Sequence, residues 1–209
     1  MTPYERFAAA CAVAVAAVGL IYSVAFVALL RGGPGWLEGL TAVLLLAGGL
    51  LSSAVLVALY QRIKETDPAF ALWALLLGAL GAAGTAVHGG FDLANYFHPS
   101  GPVELPNAVD PRGLLTFGVA GLALFVIAWL IVRGGRLPVG LGYLGYLSAT
   151  LLVATYLGRM ILLDPNHPAL LAPAALEGLI VNPLWYVWLG VALRGSGPSP
   201  ASSATPAAV

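Results

Sequence analysis

Six long apolar stretches follow one another along the chain, separated by short polar segments. They span residues 7–30, 37–60, 70–90, 114–132, 137–157 and 169–193. Each stretch reaches or approaches the roughly 20 residues with which a helix crosses the hydrocarbon core of a bilayer. The apolar residues run continuously and do not alternate with polar ones, which excludes a transmembrane β-barrel. We therefore predict an all-α integral membrane protein with six transmembrane helices.

The composition indicates which solvent the outer surface meets. Hydrophobic residues make up 60% of the 209 residues and charged ones only 9%, and the mean hydropathy is +0.92. A soluble domain is roughly a quarter charged, so this chain has too little polar surface to cover a water-facing globule. The lipid bilayer is the predicted partner of residues 1–194. Residues 195–209, rich in Ser, Pro and Ala, are predicted to form a disordered tail.

Lysine and arginine are unevenly distributed between the two sides of the predicted bundle. One side carries six of them: Arg6, Arg62, Lys64, Arg133, Arg136 and Arg194. The other side carries three: Arg31, Arg112 and Arg159. Because cytoplasmic loops are enriched in these residues, both termini are predicted to be cytoplasmic. The excess of arginine over lysine, with abundant Ala, Gly and Leu, favours the plasma (inner) membrane of a bacterium.

Two parts of the chain share an order of polar markers. The first part contains Arg31-Gly32-Gly33, residues 56–60 and Asp67-Pro68, and the second contains Arg133-Gly134-Gly135, residues 152–156 and Asp164-Pro165. A genuine duplication would give two three-helix repeats of inverted orientation, as in many transporters. The alternative is that these markers are ordinary helix ends at the level of the lipid headgroups.

Polar residues cluster at the predicted outer end of the third span. His88, Asp92 and Asn95 follow one another at i, i+4 and i+7, so an unbroken helix presents all three on one face. Such a face could bind a ligand or supply an acid/base pair. The alternative is a helix that breaks at Gly89-Gly90 and leaves these side chains in interfacial water. The loop of residues 98–112 that follows is the longest one and either caps a pocket or acts as a spacer.

The sixth span contains a carboxyl group at membrane depth. Glu177 is predicted roughly 12 Å inside the outer end. Asn182-Pro183 follows near the middle, where the proline removes a backbone donor and is predicted to break the helix. At that depth Glu177 must be neutral, paired or hydrated. Its favoured partner is Arg159 at the end of the fifth span, with Asp92 as a competitor for the same arginine. A structural ion pair and a functional site both fit this pattern.

Motifs of well-known chemistry are missing from the chain. It has no Gly-rich phosphate loop, no His-Glu-x-x-His, no pair of cysteines and no Gly-x-Ser-x-Gly. Cys11 is the single cysteine, which excludes an intrachain disulfide. The spacing of His88, His98 and His167 requires no metal, so we predict neither a metal site nor a cofactor. A net charge of +0 without a basic run argues against nucleic acid as a partner.

Three segments of the chain have a recognisable pattern. They are Asp110-Pro111-Arg112-Gly113-Leu114, Arg133-Gly134-Gly135-Arg136-Leu137-Pro138 and Asn182-Pro183-Leu184-Trp185-Tyr186. This pattern resembles small bacterial multi-pass membrane proteins described only as domains of unknown function, over most of the chain after the second span. The resemblance implies a six-helix inner-membrane protein and supplies no catalytic residues.

Together these patterns favour small-molecule binding or transport through an outward-facing polar pocket between the third, fifth and sixth helices. The candidate ligand-binding residues are His88, Asp92, Asn95, Arg159, Glu177 and Asn182. One alternative is an accessory or assembly subunit, with a membrane-protein partner or as a homo-oligomer. Another is a membrane-embedded enzyme acting on a lipid, with His88 and Asp92 as acid/base groups.

Overall fold

The computed structural model of the protein describes residues 1–99, 113–162 and 167–195. In these ranges the chain forms six helices long and apolar enough to cross a membrane, and no strand. They are α1 (Pro3–Leu30), α2 (Trp36–Ile63), α3 (Pro68–Phe97), α4 (Leu114–Gly134), α5 (Val139–Leu162) and α6 (Pro168–Arg194). The predicted all-α fold with six transmembrane helices is confirmed. Most of the loop 98–112, the segment 163–166 and the tail from residue 196 lie outside the described residues.

Local side-chain chemistry fixes several helix ends. The hydroxyl of Thr2 accepts from the Glu5 N–H, and the Glu5 carboxylate accepts from the Thr2 N–H, so both donors at the start of α1 are satisfied. The Asp67 carboxylate accepts from two backbone N–H groups in the first turn of α3. Gly135 ends α4 with a φ of +63°, a conformation that favours glycine.

The six helices form a closed ring in chain order. Each helix packs against the next one, and α1 packs against α6. Because the helices alternate in direction, the starts of α1, α3 and α5 lie beside the ends of α2, α4 and α6. We call this face the terminal face and the opposite one the far face. The relation of α1–α3 to α4–α6 as inverted repeats stays a prediction.

The terminal half of the ring is solidly packed. Its largest fully buried side chains come from α2, α4, α5 and α6: Val55, Leu59, Leu130, Ile131, Leu141, Leu189 and Leu193. Trp185 closes this core toward mid-membrane, where its Nε1 donates to the Leu141 carbonyl at 3.2 Å. Lipid tails are as apolar as leucine, so dispersion and shape, and not exclusion of water, hold this half together.

The outer surface of the ring is apolar along its whole height. Leu50, Val87, Ile161 and Val191 come from four different helices, and each is more than half exposed. A monomeric soluble protein rarely exposes such a continuous apolar surface. These side chains meet the hydrocarbon of the bilayer.

The backbones of α2 and α3 come into contact at two glycines. A Cβ on Gly49 would lie 2.6 Å from both the Ala82 carbonyl oxygen and the Ala86 nitrogen. A Cβ on Gly89 would lie 2.6 Å from the Ala42 carbonyl oxygen and would also overlap the backbone of α2 one turn later. Small residues at such crossings let two backbones come into contact in a membrane.

Two of the helices contain a π-helical segment. In α4 it is Leu114–Val119 and in α6 it is Glu177–Val181. The Asn182 N–H donates to the Glu177 carbonyl five residues back, which is the wide π geometry. Pro183, which follows at once, lacks an N–H and its ring crowds the preceding turn. The predicted break in the sixth helix is thus wrong: the helix continues, and a widened turn accommodates the proline.

Candidate functional site

The far half of the ring encloses a cavity of about 980 Å³. All six helices contribute to its wall, which runs from mid-membrane to the far ends of the helices. Apolar side chains cover most of the deep wall, and most polar groups lie toward the far face. The sequence predicted a pocket between α3, α5 and α6. The cavity also has α1, α2 and α4 in its wall, whose contribution sequence reasoning missed because the facing residues are mostly apolar.

The six candidate ligand-binding residues all line this one cavity: His88, Asp92 and Asn95 from α3, Arg159 from α5, and Glu177 and Asn182 from α6. They occupy two levels. Asp92, Asn95 and Arg159 lie near the far face, at what we call the mouth of the cavity, and His88 lies one turn below Asp92 on α3. Glu177 and Asn182 lie deeper. Their role in binding stays a prediction.

At the mouth, α3 presents one polar face, as its spacing predicted. The helix continues through Gly89-Gly90 to Phe97, so the alternative of a break at these glycines is wrong. His88 Nε2 lies 3.5 Å from Asp92 Oδ2, and its Nδ1 lies 3.3 Å from Thr116 Oγ1 of α4. The histidine therefore joins two helices. A single threonine after a loop carries no signal in the sequence, and Thr116 was missed.

Two further charged residues line the mouth, Arg31 at the end of α1 and Glu38 in the first turn of α2. Sequence reasoning missed them as site residues because charged residues at helix ends in a membrane protein are ordinary. With Arg159 and Asp92, the mouth carries two cations and two carboxylates among the described residues.

Glu177 lies in the deep part of the wall, at the start of the π-helical segment of α6. It follows Pro168 by nine residues, which is about 14 Å along the helix. The residue is only 5% exposed. Its Oε1 accepts a hydrogen bond from Ser148 Oγ of α5 at 2.5 Å, and Ser148 is itself buried. Its Oε2 has no hydrogen-bond partner within the described ranges.

The expected ion pair between Glu177 and Arg159 is not formed. Ser148 precedes Arg159 by eleven residues on α5, a separation of about 16 Å along the helix. A carboxylate beside Ser148 is therefore too deep for the Arg159 side chain. The serine was missed because small hydroxyl residues are unremarkable in Ala- and Gly-rich transmembrane helices.

Other oxygen atoms lie near Glu177. Asn182 follows it on α6, and its Oδ1 faces α1, where a Cβ on Gly19 would lie 3.2 Å away. Gly178 lies directly against Ser23 of α1. Higher on the wall, the buried Thr155 Oγ1 also lacks a hydrogen-bond partner among the described residues. The cavity wall thus has unused polar capacity at two levels.

Aromatic side chains form part of the cavity wall. Tyr22 of α1 and Trp185 and Tyr186 of α6 line it. In the described part of the chain, no three His, Cys, Asp or Glu side chains come close enough together to hold a metal ion. The groups present offer hydrogen bonds, charge and aromatic faces to an occupant.

Comparison with protein-family models, with curated proteins and with solved structures finds no match to this chain.

Proposed function

We propose that the protein binds a small molecule in the far-half cavity and transports it. The observation that carries this proposal is a hollow of about 980 Å³ in one half of a ring whose other half is solidly packed. Ligand sites typically measure about 300–1,000 Å³ and combine a mainly apolar wall with a few polar groups. The cavity has this size and this kind of wall.

The cost of leaving such a space empty supports the same proposal. Protein interiors are packed as densely as organic crystals, and atoms that line a void lose their dispersion contacts. A cavity without a role would be filled by larger side chains than the glycines and alanines that face it, such as Gly48, Ala82 and Ala120. An occupant restores these contacts.

Transport requires the closed end of the cavity to open. The packed core of the terminal half separates the cavity from the terminal face. Alternating access in small transporters moves one group of helices against another around a fixed site. In this ring the helices that flank Glu177 are α1 and α5, so their packing against α6 would have to change.

We place the protein in the inner membrane of a bacterium, with both termini in the cytoplasm. The terminal face carries Arg62, Lys64, Arg133 and Arg136 at helix ends, which supports this orientation. A green fluorescent protein fused after Val209 is expected to fluoresce, and alkaline phosphatase fused there is expected to be inactive. An active phosphatase at this position would reverse the orientation and turn the mouth toward the cytoplasm.

Filling the cavity is expected to abolish binding. Gly48 lines the wall, and a Cβ there makes only an ordinary contact, 3.7 Å from Val18 Cγ1. The leucine of Gly48→Leu should fit and should occupy ligand space. Gly90→Leu is the matched control, because no atom lies within 4 Å of a Cβ at that position and it is outside the cavity wall.

The measurement is a thermal-shift screen of a metabolite library, followed by uptake of each hit into vesicles. Hits are expected for the wild type and for Gly90→Leu, and none of them for Gly48→Leu. A wild-type protein without hits, or hits that persist in Gly48→Leu, would contradict the proposal and favour the accessory-subunit alternative.

A second candidate function is catalysis on a lipid, and one observation favours it. His88 lies between the Thr116 hydroxyl and the Asp92 carboxylate, an order found where a histidine acts as a general base. The same screen separates the two functions. A transported molecule is recovered unchanged from the protein, whereas a substrate is recovered as a product.

A further inference from the structure

We propose that the occupant of the cavity is a primary amine with an apolar body, and that its ammonium group binds Glu177. This inference rests on the proposed function, because it names the class of molecule for the same cavity. It follows from the hydrogen bonds, the surroundings and the depth of that one carboxyl group.

The hydrogen bonding of Glu177 is incomplete. Ser148 satisfies Oε1. Oε2 is buried and no described donor reaches it with hydrogen-bond geometry, so the nearby Asn182 side chain supplies only a looser polar contact to the carboxyl group. A buried acceptor without a donor is costly, and a charged one more so. Protonation on Oε1 would remove the charge and let Glu177 donate to Ser148 Oγ, but it would still leave the buried Oε2 without a donor. A donor supplied by an occupant of the cavity removes that cost.

A donor that fits this site must also carry a positive charge. An ammonium group supplies three N–H donors and the positive charge that a buried carboxylate needs. Tyr22, Trp185 and Tyr186 also line the cavity, and aromatic rings attract a cation. A quaternary ammonium would provide the positive charge but no N–H donor. An alcohol would provide a donor but no charge. A protonated amine that retains N–H groups provides both, and a primary amine supplies the largest number of donors.

The rest of the occupant meets a mainly apolar wall. The wall between Glu177 and the mouth includes Phe26, Val27, Phe117 and Leu171, whose apolar side chains offer no hydrogen bonds to a ligand. An apolar body of the occupant packs against them. At the mouth Glu38 and Asp92 offset Arg31 and Arg159, so the described residues present no net barrier to a cation.

The experiment compares 4-phenylbutylamine with 4-phenylbutanol, which has a hydroxyl in place of the amine. Binding to the full-length protein in lipid nanodiscs is measured by isothermal titration calorimetry. The wild type is expected to bind the amine about tenfold or more tightly than the alcohol. Glu177→Gln keeps an acceptor for Ser148 and is expected to reduce amine binding to the level of the alcohol.

Three other variants make the result specific to Glu177. Glu65→Gln, at the exposed terminal face, removes the same charge outside the cavity and is expected to change neither affinity. Asp92→Asn, at the mouth, is expected to weaken amine binding much less than Glu177→Gln. Ser148→Ala leaves the carboxyl group in place and is expected to keep the preference for the amine, which tests the proposal even if Glu177→Gln folds poorly.

The outcomes separate this inference from the proposed function. Equal binding of amine and alcohol, or an amine preference that Asp92→Asn abolishes and Glu177→Gln does not, overturns the assignment to Glu177 and leaves a ligand-binding cavity. Absence of binding by either probe also overturns the amine assignment, and the Gly48→Leu screen then decides the proposed function by itself.

Discussion

Gly89→Ala is expected to lower the free energy of unfolding by about 1–3 kcal/mol, the usual cost of inserting a methyl group into a packed contact. The added Cβ would lie 2.6 Å from the Ala42 carbonyl oxygen and would overlap the backbone of α2 next to it. Neither obstacle is the end of a flexible side chain. To relieve this overlap, α2 and α3 must move apart over the length of their crossing, and this movement also disturbs the contact at Gly49.

The adjacent glycine provides the control for this prediction. Gly90 belongs to the same turn of α3, and no atom lies within 4 Å of a Cβ there. Gly90→Ala is expected to be neutral or to stabilise the helix by up to about 1 kcal/mol. Unfolding of both variants in mixed SDS micelles gives the comparison. Equal free energies for the two variants would mean that α2 and α3 are not in backbone contact at Gly89.

Arg62→Ala is expected to destabilise the protein by about 2–3 kcal/mol. The Arg62 side chain is 13% exposed and its partner Glu5 is 18% exposed, with the closest N–O pair at 2.8 Å. Arg62 also donates to the Leu193 carbonyl of α6 at 3.3 Å. One guanidinium thus joins α1, α2 and α6 at the terminal face. Its removal leaves a half-buried carboxylate and a carbonyl without their donor.

Two further substitutions test the reason for this effect. Arg62→Lys supplies one compact ammonium in place of a planar fork and is expected to recover only part of the stability. Arg136→Ala breaks the ion pair with Glu65, whose side chains are 45% and 55% exposed, and is expected to cost less than about 1 kcal/mol. The measurement is again unfolding in mixed micelles. Similar losses for Arg62→Ala and Arg136→Ala would show that the contacts of Arg62 with α1 and α6 contribute little.

The helices themselves could be predicted because hydropathy alone determines them. Their bounds differ by a few residues: α1 begins at Pro3 and not at residue 7, since the polar residues of the capping turn belong to the helix. The common face of His88, Asp92 and Asn95 followed from periodicity, which holds as long as a helix is unbroken. Both kinds of inference depend only on positions within one helix.

Contacts between helices could not be predicted in the same way. Arg159 was chosen as the partner of Glu177 because it is near in sequence. Which side chains can meet between two helices depends on their depth in the membrane, and Ser148 is the residue of α5 that lies at the depth of Glu177. The same reason hides Thr116, which contacts His88 from another helix. Closure of the ring by α1 and α6 depends on apolar packing between the two ends of the chain, for which a single sequence carries no signal.

The widened turn at Glu177–Val181 also changes the angular phase of the sixth helix. In a regular α-helix, where successive residues are rotated by about 100°, Glu177 and Trp185 would point about 80° apart. A wide turn that absorbs one extra residue reduces this angle to about 20°. The carboxyl group and the indole can then both point toward the axis of the ring, as their burial requires. One additional residue in the sixth span thus allows a single helix to point one side chain into the wall of the cavity and another into the packed core of the terminal half.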